Sequence, residues 1–384
     1  MDFGFDSDQE LLADNLRDLI LRDYPESYFK ECDRTGTYPV EYKKALVDHG
    51  FSLLGIPEEY GGVPCNIATL MLVAETCARC GAPYYLWGES IQIDDILTFG
   101  NDQQKKIVMD VAKTGHQPFA LGFTEPGAGS DNAGMTCSVT HRDGKMFISG
   151  EKTLISNVDD APYILTLTRD TEDPNPHKAI TMWLIPLDRP GISVNHFDKI
   201  GWHMTTTSEV FFNEVEVFEE DKVGVEGRGF IQLMKNFEIE RILVCACLLG
   251  AAECCFDDAV EFAKAREQFG KPIGSFQLIQ QKITDMAIEI ENMRNMLYKC
   301  AWMKDTGQDI QIMSALCKRY VGESSWRVID EALQIHGGVG YISDTRVSRI
   351  WRDARVGRIG AGTSEIMVHI AGRAIQKTHK SFGS

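Results

Sequence analysis

The sequence predicts a mainly α-helical protein with one all-β insert. Two observations carry this: the hydrophobic period shifts from about 3.6 residues to two near Pro118, and it shifts back near Gly229. Three regions follow, residues 1–117, 118–226 and 227–384. A chain of 384 residues, 43% of them hydrophobic, is long enough to bury a large core in two or three packed units.

The first region opens with Ser7-x-x-Glu10, which reads as a capping box in front of the apolar positions Leu11, Leu12, Leu16, Leu19 and Ile20. The segment "IPEEYGGVPCN" interrupts the helical pattern with Pro and Gly before it resumes. In the second region "CSVTHRDGKMFISG" reads as two strands joined at Asp143-Gly144, and "YILTLT", "ITMWLIPL" and "EVFFNEVEV" read as further strands. In the third, Ile279, Ile283, Met286, Ile290, Met293 and Leu297 step by four, three, four, three and four residues. That is one continuous apolar stripe, as in a long antiparallel bundle whose outer faces often become a subunit interface.

Composition narrows the function classes. A net charge of −17, with no block of Lys or Arg, argues against a nucleic-acid surface and points to a small molecule or a protein as partner. The opening "MDFGFDSDQELLADNL" lacks the basic-then-apolar order of a secretory signal, and no apolar run reaches the roughly 18 residues of a membrane-spanning helix. A soluble, cytoplasmic protein without membrane association is expected. The 11 cysteines are scattered through apolar helical patterns, and Cys77-x-x-Cys80 has no second pair to complete a zinc site. Reduced, buried thiols and no metal are expected.

The stretch "FTEPGAGSDNAG", Phe123 to Gly134, suggests a phosphate-bearing ligand. Two glycines flank one residue, but a dinucleotide fingerprint needs a third at position 132, which is Asn132. A nucleoside-triphosphate loop needs Gly-Lys-Ser/Thr, where this chain has Gly129-Ser130-Asp131. Taken with the order helical, β, helical, the loop resembles that of the acyl-CoA dehydrogenase family. "GNDQQKK", "GEKTLISN", "AREQFGKPIGSFQLIQ", "QIHGGVGY" and "RIGAGTSEI" extend the resemblance nearly end to end. It implies an N-terminal helical domain, a middle β-barrel-like domain and a C-terminal four-helix bundle. It also implies FAD, held between the β unit and the bundle.

The family's reaction removes a proton α to a thioester carbonyl while the β hydrogen passes as hydride to the flavin, and a carboxylate takes the proton. In many members that carboxylate is the Glu of "YEGT". The matching stretch here is "GAGT" with Ala361, which cannot take a proton. A branch that includes the isovaleryl and long-chain dehydrogenases carries "GAGT" and supplies the Glu from an earlier stretch like "LDLERLV". This chain reads "FEIERILV", and Glu240 falls on that position. Glu240 follows Phe237 by three and precedes Val244 by four, the side expected to be buried, whereas Glu238 points about 200° away. Burial should raise its pKa, and Arg241 should oppose that. Glu365 is the second candidate for the base.

The remaining sites follow from the same resemblance. Phe123, Thr124, Gly129, Ser130 and Ser156 match positions that meet FAD, while Leu154 stands where the family usually has an aromatic residue. Arg266, Gln268, Phe269 and Gln277, with Gln334, Gly337 and Gly338, match residues that reach FAD bound mainly to a neighbouring subunit. Thr363 and Glu365 match the adenosine-side turn. Ser130, Arg241 and Ala361 are expected to touch the substrate, Ala361 through its backbone N–H. His336 is expected to pack or turn the chain. A shared cofactor requires at least a dimer, and family habit suggests a homotetramer.

The expected substrate is a short acyl-CoA or enoyl-CoA thioester, with electrons exchanged with an electron-transfer flavoprotein. "YFKECDRTGTYP", "DMAIEIENMRNMLYKCAW" and "SRIWRDARV" are similar to the branch of enoyl-CoA reductases in carnitine metabolism, which runs the chemistry in reverse with the carboxyl as acid. A cationic acyl group would want aromatic faces or carboxylates. "APYYLWGESIQIDDIL" offers Tyr84, Tyr85, Trp87, Glu89, Asp94 and Asp95, though a solvated acidic face is the simpler explanation. Two alternatives stand beside this reading: an oxygen-using acyl-CoA oxidase-like enzyme, whose chain is usually longer at the C-terminus, and a flavin-free scaffold, suggested by Ala361 and Leu154.

Overall fold

The computed structural model describes residues 4–86, 89–171, 179–234 and 236–378. Six helices come first: α1 (Ser7–Asp23), α2 (Glu26–Thr35), α3 (Val40–Asp48), α4 (Ile67–Arg79), α5 (Glu89–Phe99) and α6 (Asp102–Ala112). The capping box of α1 sits one residue earlier than the sequence pattern suggests. Asp6 is the N-cap, accepting from the N–H of Asp8 at 3.0 Å and of Gln9 at 2.9 Å, and Gln9 Oε1 accepts from Asp6 N–H at 3.1 Å. Either Asp6 or Ser7 could cap; starting the helix at Ser7 puts Leu16, Leu19 and Ile20 inward and leaves Leu11 exposed.

The β unit comprises β1 (Ala120–Gly122), β2 (Ser138–Arg142), β3 (Lys145–Ser156), β4 (Tyr163–Asp170), β5 (Ile180–Pro186), β6 (Ile192–His196), β7 (Thr207–Val217) and β8 (Lys222–Val223). They form one sheet in the order β6-β7-β3-β2-β4-β5-β8, with β1 pairing β4 in parallel. Asp143 and Gly144 both take positive φ, 52° and 73°, and close the β2–β3 hairpin with Arg142 opposite Lys145. Alternation along β4 and β5 feeds two cores. Ile164, Trp183 and Ile185 enter the β unit's own core, while Leu165, Leu167, Met182 and Leu184 pack on Ile93, Ile96, Val108 and Met109 of α5 and α6. The sheet is therefore clamped to the first helical region through the same strands that hold it together.

The last region contains α7 (Gly229–Met234), α8 (Phe237–Ala265), the short hairpin β9 (Glu267–Gln268) and β10 (Lys271–Pro272), α9 (Gln277–Asp305), α10 (Gln311–His336), α11 (Arg346–Ala354) and α12 (Ser364–Thr378). Helices α8, α9 and α12 all pack against α10. The α9 stripe deepens along the helix: Ile279 and Ile283 are half-buried, whereas Met286, Ile290, Met293 and Leu297 are buried. On its other side Leu278, Ile288 and Trp302 are exposed.

Helix α8 is buried nearly all round from Ile242 to Cys255, as expected of a helix central to a large core. Small residues make this possible. A Cβ on Gly250 would stand 2.1 Å from the carbonyl oxygen of Glu75, so only glycine lets α8 lie this close to α4. Polar ties reinforce the joint: Arg294 of α9 donates to Glu75 at 2.7 Å and also pairs with Glu253 of α8, while Tyr298 donates to Glu75 at 2.8 Å. All 11 cysteines are free thiols, each buried or half-buried. No helix among the described residues is long and apolar enough to cross a membrane.

Candidate active site

The loop between β1 and β2 folds around one carboxylate. Glu125, 3% exposed, accepts from the backbone N–H of Thr136 at 2.6 Å and of Cys137 at 3.0 Å, from Thr136 Oγ1 at 2.9 Å and from Lys152 Nζ at 2.7 Å. Lys152, on β3, is fully buried. Burial pushes the Glu125 carboxyl up, but the Lys152 charge and the donated hydrogen bonds outweigh it and hold the group below the ordinary glutamate value. With Glu125 turned inward, Gly127, Gly129 and Ser130 are left exposed on the outer side of the loop. Thr153 N–H then donates to the Thr124 carbonyl at 2.8 Å, which stitches β3 to the loop. Just beyond, at a register break between Lys152 and Ile155, Leu154 takes φ 58° and stands 61% exposed, with Ser156 half-buried after it.

Phe123 fixes this loop to the helices. Its ring meets Phe237 edge-on at 5.6 Å and Phe230 at 6.4 Å, and Phe237 is the first residue of α8. Glu240 follows in the same first turn, half-buried. Burial pushes its carboxyl above the ordinary value, and Arg241 and Lys318 pull it back. The partial positive charge at the start of a long helix acts in the same direction as these cations. Arg241 is half-buried, and its Nε is buried without a hydrogen-bond partner.

Two further elements converge on this turn, and one of them holds a third. From α5, Asp95 is buried, and its Oδ1 accepts from Asn236 Nδ2 at 2.6 Å. Asn236 occupies the N-cap position of α8, yet its side chain makes no cap bond. Burial, Asp94 and Glu240 together push the Asp95 carboxyl up to about 8, against the Asn236 hydrogen bond. From α10, Lys318 is buried and donates to the Gly357 carbonyl at 2.6 Å and the Gly362 carbonyl at 3.3 Å. That turn carries Ala361, which takes φ 53° and is half-buried. Thr363 Oγ1 accepts from Ile366 N–H at 3.2 Å at the start of α12, and Glu365 beside it is exposed.

The other expected cofactor residues lie elsewhere. Arg266, Gln268, Phe269 and Gln277 are exposed around the β9–β10 hairpin, with Phe269 at φ 53° and 93% exposed. Gln334, Gly337 and Gly338 are exposed at the end of α10, joined to this region by His336, whose ring lies 4.6 Å from that of Phe262 on α8. At about 1.5 Å per residue, α8 separates Glu240 from Arg266 by roughly 39 Å. The structure thus divides the expected residues into two groups at opposite ends of one helix.

Some expectations resolve differently. Glu238 is half-buried like Glu240, facing Asp309 and Lys304, because the first turn of α8 is packed on more than one side. Tyr84 and Tyr85 do not offer free aromatic faces: Tyr85 stacks on Trp202 at 4.6 Å, and Tyr84 OH donates to the Asp353 carbonyl at 2.7 Å. Trp87 lies outside the described residues, as does the side chain of Glu89. Sequence reasoning overlooked Glu125, Lys152 and Lys318; a lysine amid the apolar residues of a strand or a core helix was the available signal.

The surfaces fit a flavin dinucleotide. A Cβ at Gly127, Gly337 or Gly338 would meet nothing, and one at Gly129 only Thr124 Cγ2 at 4.0 Å, so bare backbone faces open space at both groups. Near Ser156, Asn157 Oδ1 and Thr206 Oγ1 are buried without partners. These are polar atoms that a ring system rich in donors and acceptors would satisfy.

Three family models match the chain in order: the acyl-CoA dehydrogenase N-terminal domain over residues 6–114, the middle domain over 120–215 and the C-terminal domain over 227–376. A probable acyl-CoA dehydrogenase, YdiO, of Escherichia coli strain K12 is 47% identical over 382 residues, covering 99% of this chain and 100% of that protein. The structure of butyryl-CoA dehydrogenase from Megasphaera elsdenii superposes with a TM-score of 0.89 at 31% identity, covering 98% and 100% of the two chains. A chain from work on the electron transferring flavoprotein of Acidaminococcus fermentans gives a TM-score of 0.89 at 28% identity over 98% and 99%.

Glu125→Gln should destabilise the fold by about 3–5 kcal/mol, because it leaves Lys152 buried without its counter-charge. The contribution of a carboxylate held below its ordinary value is present above the unfolded value of 4.5 and is lost as pH falls through the folded one. Denaturant unfolding at neutral pH checks the magnitude. A cost under about 1 kcal/mol, the range of an exposed pair, would show that the pair is solvated in the native protein.

Proposed function

We propose that this chain, which belongs to the acyl-CoA dehydrogenase family of FAD-dependent oxidoreductases acting on CH–CH groups, interconverts short acyl-CoA and α,β-enoyl-CoA thioesters with Glu240 as its proton-transferring carboxyl. The observation that carries this is the setting of Glu240: half-buried in the first turn of α8, raised by burial and checked by two cations, one of which, Lys318, donates to the carbonyls on either side of Ala361. FAD, when bound, supplies the hydride acceptor for dehydrogenation or the hydride donor for reduction. The protein residues then have four tasks. Glu240 takes the α proton or returns it; the Ala361 N–H donates to the thioester oxygen where negative charge develops; Arg241 holds the substrate side; and the loop from Phe123 to Ser130, with Ser156, holds the flavin.

The distance between the two groups of residues supports assembly. One cofactor cannot touch both ends of α8 within a single chain, so Arg266, Gln268, Phe269, Gln277, Gln334, Gly337 and Gly338 reach the FAD of a neighbouring subunit, and the exposed Phe269, Leu278 and Ile288 are covered in a homotetramer. Electrons pass to and from an electron-transfer flavoprotein in the cytoplasm, where the 11 free thiols are stable. An oxidase that uses oxygen and a flavin-free scaffold are the competing readings. A purified protein without a flavin absorption band would favour the scaffold, and anaerobic reduction followed by fast reoxidation in air would favour the oxidase.

A finer reading is favoured by Asp94 and Asp95, which α5 brings beside Asn236 and Glu240. A cationic acyl group beside these carboxyls would draw the proton off Asp95 and be bound by the carboxylate left behind. On this reading the enzyme is a crotonobetainyl-CoA reductase of carnitine metabolism, with Glu240 acting as acid.

Glu240→Gln should retain FAD but lower turnover by at least about 100-fold, since the proton-transferring group is gone. Because the Glu240 carboxyl is raised, dehydrogenation in the native enzyme should fall as pH drops through a value above the ordinary 4.5, and reduction should fall as pH rises through the same value. Anaerobic flavin bleaching and enoyl-CoA reduction across pH measure both. Near-normal turnover at full flavin occupancy would transfer the role to Glu365.

Arg266→Ala should reduce flavin content in proportion to the loss of assembled protein, because a guanidinium pairs bidentately with diphosphate across the subunit boundary. Flavin absorbance and sedimentation on one sample decide this. Full flavin content in an intact oligomer would reduce Arg266 to a surface charge.

A further inference from the structure

In the chemistry just described Lys318 enters only through its charge on Glu240, and its placement is costly. It is 1% exposed, on a helix whose neighbouring positions Ala315, Cys317 and Val321 are all buried. Taking an ammonium out of water costs several kcal/mol unless a counter-charge meets it. Among the described residues no carboxylate stands within ion-pair distance of it; its hydrogen bonds go to two backbone carbonyls, those of Gly357 at 2.6 Å and Gly362 at 3.3 Å. Those two carbonyls bracket the turn that carries Ala361. The chain reverses there through two consecutive left-handed residues, Ala361 at φ 53° and Gly362 at φ 91°, a conformation that costs energy for alanine and needs an external hold. On the next turn of α10, Gly322 comes under the same segment, where a Cβ would stand 3.1 Å from the Gly357 carbonyl oxygen.

We infer that Lys318 is a positioning residue: its ammonium clamps the Gly357–Gly362 turn, fixes the direction of the Ala361 N–H, and places a positive charge behind Glu240. The inference rests on the acid–base role given above to Glu240. The geometry explains why a lysine and not an apolar residue fills this part of the core. Two carbonyls on opposite sides of a turn need a donor with more than one N–H, and an ammonium offers three. The charge is also used. Burial lowers the proton affinity of Lys318 and Glu240 is among the groups that raise it; in its protonated form the cation favours the carboxylate that dehydrogenation needs. The charged groups facing Glu240 are Arg241 on its own helix, Lys318 from α10 and Asp95 from α5.

The test compares native protein, Lys318→Met and Lys318→Gln as flavin-loaded enzymes, by single-turnover flavin reduction with an acyl-CoA that bleaches the native enzyme. Lys318→Met fills the space without donor or charge, and the rate should fall about 100-fold, the scale of one lost oxyanion donor, with the half-saturating acyl-CoA concentration changed less than about threefold. The acidic limb of its rate profile should move to higher pH, because the cation that favours ionised Glu240 is gone. Lys318→Gln keeps an N–H donor without the charge, so it should regain at least about tenfold over Met while retaining the displaced limb. A residue with a merely structural role would lower thermal stability and leave the limb where it is. Native rates and an unmoved limb in either variant would overturn the inference. Failure of both variants to fold or hold flavin would also count against it, since a clamp on one turn leaves the rest of the core standing. If no acyl-CoA bleaches the native enzyme, the functional reading itself fails, and that outcome is separate.

Discussion

The fold depends on the close approach of α8 to α4 at Gly250. Because no side chain can stand between that position and the Glu75 carbonyl, the two helices lie in backbone contact, and α8 becomes common to the first helical region and the last. Everything functional is then a matter of where its two ends fall. One end presents Glu240 beside the β unit's glycine-rich loop, held there by Phe123 on Phe237. The other presents the Arg266 hairpin to the surface, roughly 39 Å away. A rigid, small-residue helix fixes that separation in a way a loop could not, and it is the basis of the proposal that the site is divided between subunits.

Charge burial is concentrated where geometry matters. Glu125 with Lys152, and Lys318 with the carbonyls around Ala361, use buried charges to shape two loops that have little apolar surface of their own. Hydrophobic packing cannot organise stretches such as "GAGS" or "GAG", which have almost nothing to bury. A buried ion with several hydrogen bonds can, because breaking it leaves an uncompensated charge in the interior. The same logic reaches Glu240, whose burial is opposed by cations on two helices, so that its proton affinity is set by the fold.

Much of this was legible in the sequence, for identifiable reasons. The α9 stripe and the β2–β3 hairpin at Asp143-Gly144 follow from periodicity and from turn residues that tolerate positive φ. The start of α1 was displaced by one residue because Asp6 with Gln9 and Ser7 with Glu10 satisfy the same pattern, and only packing chooses between them. Tyr84 and Tyr85 read as an aromatic lining but serve a junction with Trp202, more than a hundred residues away in sequence, which no local pattern reveals. Glu125 and Lys152 were passed over because alternation marks which residues face inward only when they are apolar. The division of the expected cofactor residues into two groups followed from the resemblance, and the distance between the groups required the length of α8.

The central claim is that catalysis here needs a carboxyl at one point in space, supplied by α8 because position 361 is alanine. The most direct measurement is single-turnover flavin reduction by acyl-CoA in Glu240→Ala alone and in Glu240→Ala combined with Ala361→Glu. The account predicts partial recovery in the double variant, since a carboxyl entering from the turn can reach the same α carbon but must fit space shaped for a methyl group. A double variant that binds FAD fully and gains nothing over Glu240→Ala would contradict it.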